Sequence, residues 1–422
     1  MRAATRHAVV VLAALLGMSP LLAAFEVHDD PAIRVSALRE ERSQRTRTAQ
    51  PADYAKIDAD IAAQAAAELA SIDPAGVDAR RAQAWASLYT LAERHEVARD
   101  LLRRFLAQDL GKEDRHQAQM DLMMAAVKLN EGETVYQTLK TMTVDADHAV
   151  SLGSYFGGTF HHYVFNARGA AGCLELIARI EPAIPAGPFP NDETRKSNGW
   201  ARRQLAAAKA LYLAESERRE EAVAVIDQAL ASLDDDIFRK DGLRGDRQRY
   251  QLMGQPAPAL RVDRTHGAFQ GLDAYRGKVL LLEFTAHWCH ACHAALPSLK
   301  RLYAELQGQG LEVVAVTTYY GFFSPDATRT RDMPKDEEFA RMPAMLQKQG
   351  VSWPMVYTDR ETLSDYGVTG IPQIMLIDKQ GRIRKIDLGF SEAKMSRFRQ
   401  EIHGLLAEQP GLGRRPGEAV EN

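Results

Sequence analysis

The sequence reads VLLLEFTAHWCHAC between Val279 and Cys292. The first half of this stretch is apolar apart from Glu283, as in a strand that is buried on both faces of a sheet. Two cysteines follow where the pattern changes from strand to helix. A helix N-terminus offers unpaired N–H groups and the positive end of the helix dipole, and both stabilise a thiolate. The stretch therefore predicts a redox-active pair, with Cys289 facing solvent and Cys292 one turn further in and partly buried.

Strands and helices alternate around this stretch, from residue 254 to residue 408. The pattern predicts strands at 279–285, 311–318, 355–358, 373–378 and 382–388. Helices are predicted at 289–306, 336–349, 361–366 and 391–407. This order is typical of an α/β domain. A bare Cys-x-x-Cys also occurs in zinc and iron–sulfur sites, so its surroundings decide its meaning.

Three motifs frame the cysteine pair. Gly254-Gln255-Pro256-Ala257-Pro258 opens the domain, Gly277-Lys278-Val279 leads into the first central strand, and Gly370-Ile371-Pro372 precedes a later strand. With these motifs, residues 254–408 resemble the TlpA/ResA-type thioredoxin-like thiol–disulfide oxidoreductases, an exported family.

The resemblance implies a thioredoxin fold with Cys289 and Cys292 as the catalytic pair and no cofactor besides their disulfide. It also implies a cis bond between Ile371 and Pro372, which places the Ile371 backbone where an extended substrate can pair with it. Trp288 precedes the pair and His290 lies within it, and these two complete the expected substrate-binding residues. The implied partners are protein disulfide substrates and an upstream thiol electron donor.

The sequence departs from the family in two places. Ala291 stands where such families often carry proline before the second cysteine, which bears on the reduction potential. The stretch from Tyr319 to Lys335 is longer than a minimal thioredoxin needs, and we expect it to shape the substrate surface.

Glu283 lies six residues before Cys289, where thioredoxins carry a buried acid. An isolated carboxylate is costly to bury, so its pKa should rise toward neutrality. It can then take the proton of Cys292 through a water during resolution. The alternative is a carboxylate that points to solvent or to a sheet edge.

Three histidines, His287, His290 and His293, leave a metal site open as an alternative. Two thiolates plus imidazole suit copper(I) or zinc, as in a metallochaperone with a thioredoxin-like fold. The histidines step across different faces of a helical turn, so we predict no bound metal. A peroxidase is disfavoured because Thr285 is four residues before Cys289 rather than three.

The segment 54–233 is alanine-rich and helical in pattern. Four hairpins are predicted, pairing 79–94 with 96–108, 114–129 with 132–142, 147–167 with 170–183, and 196–216 with 219–233. Their step of roughly 35 residues is that of stacked helical repeats, loosely similar to tetratricopeptide repeats in an α-solenoid. Such a domain offers a face for a protein partner, so a non-catalytic interaction protein is a further alternative. Cys173 lies on an apolar helix here and is predicted to be a buried side chain.

The chain begins with Arg2 and Arg6, followed by a short apolar run and small residues near Ala24. This pattern is typical of a signal peptide, with an uncleaved anchor as the alternative. We therefore expect a periplasmic or otherwise extracytoplasmic protein, in a compartment that permits disulfides. A formal net charge of −3 over 422 residues gives no case for nucleic acid as a partner.

These observations predict a multidomain chain, with an all-α helical-hairpin domain followed by an α/β thioredoxin-like domain. The predicted segments are a signal peptide (1–24), a flexible lead-in (25–53), the helical domain (54–233), a linker (234–253), the thioredoxin-like domain (254–408) and a disordered tail (409–422).

Overall fold

The computed structural model describes residues 30–50, 53–232, 240–324 and 332–408. The predicted signal peptide (1–24) and tail (409–422) lie outside the described residues. The chain divides into two compact units, one ending at Gly187 and the other beginning at Pro188. The hairpin predicted at 196–233 therefore belongs to the second unit, although the sequence placed it in the helical domain.

The first unit is helical, as predicted. Its α-helices are α1 Pro31–Thr48, α2 Tyr54–Glu68, α3 Ala82–Leu91, α4 His95–Leu106, α5 Lys112–Lys128, α6 Gly132–Thr141, α7 Ala146–Tyr155 and α8 His161–Ile180. A π-helical turn, Phe156–Phe160, joins α7 to α8. Gly169 breaks α8 with a φ of 64°, so the turn predicted between residues 167 and 170 is present.

The predicted flexible lead-in (25–53) contains α1 instead. Asp30 caps this helix by accepting the Ala32 N–H at 3.0 Å, and Pro31 occupies its first turn. Val35 and Leu38 are buried in the core of the first unit. The arginine-rich composition of the segment concealed a helix that needs only this narrow apolar stripe.

Among the described residues, the second unit has three further helices before its sheet, α9 Asp192–Glu215, α10 Arg219–Ser232 and α11 Lys240–Leu252. Helix α11 occupies most of the predicted linker (234–253). Arg249 on α11 is buried and donates to Thr369 Oγ1 at 3.2 Å, to Gln373 Oε1 at 3.3 Å and to the Gly367 carbonyl. The polar composition of α11 suggested a linker because its acceptors lie more than a hundred residues away in the sequence.

The sheet of the second unit has six strands in the order β1-β4-β3-β2-β5-β6. The strands are β1 Val262–His266, β2 Val279–Phe284, β3 Leu311–Thr317, β4 Met355–Thr358, β5 Gln373–Ile377 and β6 Ile383–Leu388. Helices α12 His290–Leu306, α13 Lys335–Gln349, α14 Arg360–Asp365 and α15 Glu392–Ala407 complete the domain. The predicted strands and helices are therefore confirmed, and β1 was not predicted because a charged edge strand carries little apolar alternation.

Strand β2 lies at the centre of the sheet and all six of its residues are buried. It runs parallel to β3 and antiparallel to β5. Alternate β2 residues contribute to separate cores on the two faces of the sheet, as shown by Leu281 on one side and Leu282 on the other. The end of β2 is thus fixed from both faces, and the cysteine pair follows it directly.

Within the part of the chain that the structure describes, no helix combines the length and the apolar character needed to cross a bilayer.

Candidate active site

Cys289 and Cys292 are joined by a disulfide, with their Cα atoms 5.2 Å apart. Cys289 is the N-cap residue of α12, and its sulfur accepts the Cys292 backbone N–H at 3.1 Å. The donor is one of the N–H groups that a helix start leaves unpaired. The sulfur of Cys289 therefore sits where the N-terminus of a 17-residue helix stabilises negative charge.

Both cysteines are buried, which corrects the expectation that Cys289 faces solvent. Cys289 is 4% exposed and Cys292 is 2% exposed. The two cysteines and Ala286 form a small apolar cluster, against which Tyr320 and Ile371 pack. The sequence pattern could not show this packing because Tyr320 and Ile371 come from distant loops.

The peptide bond between Ile371 and Pro372 is cis, as the resemblance implied. The Pro372 carbonyl accepts the Gly389 N–H at 2.7 Å, which ties this loop to the end of β6. Among the described residues, the Ile371 backbone makes no hydrogen bond to another main-chain group. The Ile371 side chain packs against the cluster that contains the disulfide.

Glu283 is buried, as its apolar strand predicted, and lies between Ala315 of β3 and Ile374 of β5. Burial raises the pKa of its carboxyl to about 7, and a hydrogen bond with Thr285 opposes this rise. Glu283 and Cys292 line the same cavity of about 30 Å³. A space of this size has room for one water molecule, and Glu283 and Thr285 supply polar groups in its mostly apolar lining.

The three histidines have different surroundings. His287 is buried and its Nδ1 accepts the Ser324 N–H at 3.1 Å, whereas His290 and His293 are exposed. In the described ranges, no three His, Cys, Asp or Glu side chains are grouped so that they could hold a metal ion.

Trp288 is 38% exposed beside the disulfide. Its ring meets that of Tyr320 edge to face, with centroids 5.2 Å apart. Cys173 belongs to the first unit; it is fully buried as predicted, and its sulfur is 3.4 Å from the His161 carbonyl oxygen.

Two site residues were missed at the sequence level, Tyr320 and Glu338. Both belong to the stretch after β3 or to the helix that follows it. Glu338 is fully buried and its carboxylate accepts the backbone N–H groups of Tyr320 and Gly321. The unusual length of the 319–335 stretch was the available signal. Glu338 itself resembles an ordinary acidic residue in the first turn of a helix.

Residues 253–386 match the family described as AhpC/TSA. This region has a thioredoxin-like fold and is similar to that family. It starts at the end of α11 and contains β1 to β5, the cysteine pair and the cis-proline loop.

Curated relatives of the thioredoxin-like domain carry names from one enzyme class. The chain is 29% identical over 138 residues to "Thiol-disulfide oxidoreductase ResA" of Geobacillus thermodenitrificans, which covers 32% of this chain and 70% of the relative. It is 28% identical over 137 residues to the protein of the same name in Bacillus subtilis, covering 32% of this chain and 67% of the relative.

Among solved structures, a putative thiol:disulfide interchange protein DsbE from Chlorobium tepidum is 26% identical to this chain. The match covers 37% of this chain and 98% of that protein, with a TM-score of 0.29. These similarities concern the C-terminal part of the chain.

Proposed function

We propose that this thiol–disulfide oxidoreductase reduces protein disulfides outside the cytoplasm, with Cys289 as the nucleophile and Cys292 as the resolving thiol. The observation that carries the proposal is the Cys289–Cys292 disulfide at the start of α12. The Cys292 N–H that donates to the Cys289 sulfur favours Cys289 as the thiolate.

In the first step, the Cys289 thiolate of the reduced enzyme attacks one sulfur of a substrate disulfide. The substrate S–S bond breaks, a mixed disulfide forms, and the other substrate sulfur leaves as a thiolate that takes up a proton. The unpaired backbone of Ile371 supports pairing with an extended substrate segment during this step.

In the second step, Cys292 loses its proton and attacks the Cys289 sulfur. The mixed disulfide breaks, the second substrate sulfur leaves, and the Cys289–Cys292 disulfide forms. Two electrons have then passed from the enzyme to the substrate. Glu283 is the proposed proton acceptor, because it shares a cavity with Cys292 and its pKa of about 7 suits proton exchange near neutral pH.

The cycle requires an upstream thiol donor that returns two electrons to the disulfide. The signal-peptide pattern of the first 24 residues supports a periplasmic or other extracytoplasmic location. We propose that the first unit, which is helical and ends at Gly187, binds a protein partner. A Cys292→Ser variant of the full chain should then trap different partners from the same variant of a chain that begins at Pro188.

The activity is tested with the purified full chain by following insulin reduction in the presence of dithiothreitol. We expect the wild-type protein to reduce insulin at a rate that a chelator does not change. The Cys289→Ser/Cys292→Ser double variant should lose this activity. Wild-type activity equal to that of the double variant would contradict the proposal. Metal bound through the two thiols, released by the chelator, would support the metallochaperone alternative instead.

A further inference from the structure

The disulfide lies in an apolar cluster with little access to solvent. Tyr320 packs against the cluster that contains both cysteines, and Cys289 is only 4% exposed. A thiolate attacks a disulfide sulfur directly, so it needs access to Cys289. We propose that Tyr320 is a specificity-determining residue that restricts access to Cys289, and that Glu338 is a positioning residue that holds Tyr320 in place. This inference rests on the proposed role of the cysteine pair.

The backbone of Tyr320 is held by a buried carboxylate. Glu338 is 0% exposed, and its two oxygens accept the Tyr320 N–H at 3.0 and 3.1 Å. One of these oxygens also accepts the Gly321 N–H at 2.9 Å. The carboxyl group of one buried side chain therefore accepts two successive backbone N–H groups away from water. Glu338 thus fixes the point at which the chain leaves β3.

A second anchor comes from the active-site loop itself. The Ser324 N–H donates to His287 Nδ1 at 3.1 Å, and the His287 ring stacks on Phe323 with centroids 4.6 Å apart. His287 Nε2 lies 3.5 Å from a Glu338 oxygen. Hydrogen bonds therefore hold the segment 320–324 at both ends. One of the two acceptors, His287, lies two residues before Cys289.

The Tyr320 side chain acts through its volume. Burial raises the pKa of its hydroxyl to about 12, so the group stays neutral when a thiolate forms beside it. The ring also rests edge to face on Trp288, which limits how it can swing. An extended chain can replace one ring beside Ile371, whereas a folded surface cannot. The favoured substrate class is therefore a cysteine on an unfolded, extended segment.

The decisive variant is Tyr320→Ala, with Tyr275→Ala as the control. Tyr275 is also partly exposed. It packs against a core of the sheet that is separate from the cluster containing the two cysteines. In the assay, a dithiothreitol thiolate attacks Cys289, the Cys289–Cys292 bond breaks, and Cys292 leaves as a thiolate that is protonated. The second dithiothreitol thiol then closes its own ring disulfide and releases Cys289, so two electrons enter the protein.

We expect Tyr320→Ala to raise the rate of reduction by dithiothreitol about tenfold, and to raise the reverse rate with oxidised dithiothreitol by the same factor. The reduction potential should stay unchanged, because a cover alters the barrier and not the two end states. Unchanged rates, or a change in one direction only with a shifted potential, would overturn the proposal. A wild-type protein that exchanges with neither form of dithiothreitol would instead refute the proposed function.

Substrate preference is measured with glutathione mixed disulfides on an unstructured peptide and on folded serum albumin. The reduced wild-type protein should react faster with the peptide than with albumin. Tyr320→Ala should make the ratio of these two rates about tenfold smaller. An equal preference in both proteins would show that Tyr320 does not determine specificity.

Glu338→Leu tests the positioning role independently. It should change the dithiothreitol rate and the peptide preference in the same direction as Tyr320→Ala. Glu338→Gln, which keeps one carbonyl acceptor, should restore part of both. If Glu338→Leu lowers the melting temperature but leaves the rate and the preference unchanged, its role is structural only.

Discussion

Glu283 and Cys292 line one cavity of about 30 Å³, although they come from different elements, β2 and α12. This shared cavity makes a specific kinetic prediction. Glu283→Gln should slow the attack of Cys292 on the mixed disulfide by about 10²-fold, the lower end of typical general-base effects. The first attack by Cys289 should be unaffected, because it needs no proton acceptor at this position. Stopped-flow measurement of the two steps separates them, and equal rates in both proteins would remove Glu283 from the mechanism.

The raised pKa of Glu283 also predicts a pH-dependent stability. The pKa of about 7 in the folded protein exceeds the ordinary value of 4.5, so the folded state favours the protonated acid. The contribution of protonated Glu283 to the free energy of unfolding is complete below pH 4.5. This contribution is lost as the pH rises through about 7. The total loss is about 3 kcal/mol, since one pKa unit corresponds to ~1.4 kcal/mol.

Urea unfolding of Glu283→Gln should therefore show a smaller decrease in stability across this pH range than the wild-type protein shows. Glu337→Gln, a change in an exposed carboxylate of α13, is the matched control and should follow the wild type. A parallel pH dependence in Glu283→Gln and wild type would contradict the raised pKa.

The order of attack can be assigned by trapping. Cys292→Ser should accumulate mixed disulfides between Cys289 and substrate, whereas Cys289→Ser should form none. The reason is the position of Cys289 as the N-cap of α12, where its sulfur accepts the Cys292 N–H. Non-reducing electrophoresis and mass spectrometry identify the adducts. Adducts on Cys292 alone would reverse the assignment.

His290 should have a small effect on the reduction potential. It follows Cys289 directly and is exposed, and a protonated imidazole there stabilises the thiolate and hence the reduced form. His290→Ala should lower the potential by about 30 mV or less, which corresponds to ~1.4 kcal/mol. His403→Ala, an exposed histidine on α15, should leave the potential unchanged. A higher potential in His290→Ala would contradict this electrostatic explanation.

Arg249 predicts where the thioredoxin-like domain begins. Its guanidinium is buried against Gly367 and Gln373 of the loop and strand that carry Pro372, and it also pairs with Asp246. Arg249→Met leaves these acceptors unpaired and should lower the free energy of unfolding by about 3 kcal/mol.

Arg247→Met is the matched control on the same helix. Arg247 pairs with Asp227 at the surface, so its loss should lower the free energy of unfolding by less than about 1 kcal/mol. Equal effects of the two substitutions in urea unfolding would show that α11 does not stabilise the domain. A chain that begins near residue 251 lacks Arg249 and should be less stable than one that begins at Pro188.

The sequence predicted those parts of the site that are encoded locally. The buried strand, the cysteine spacing and the start of α12 lie in one continuous stretch, so periodicity and helix capping were sufficient to place Glu283, Cys289 and Cys292. The parts that it missed depend on contacts between distant segments. Glu338 holds Tyr320 from another helix, and Arg249 finds its acceptors more than a hundred residues away. No local pattern distinguishes these charged residues from ordinary surface residues.

The burial of both cysteines limits the access of dissolved reactants to the disulfide. Small thiols and oxidants dissolved in the compartment reach a covered sulfur rarely, so they equilibrate with it slowly. We therefore expect partner proteins, rather than dissolved thiols, to set the proportion of oxidised enzyme. We also expect the domain to transfer electrons between its protein partners with little loss to dissolved thiols.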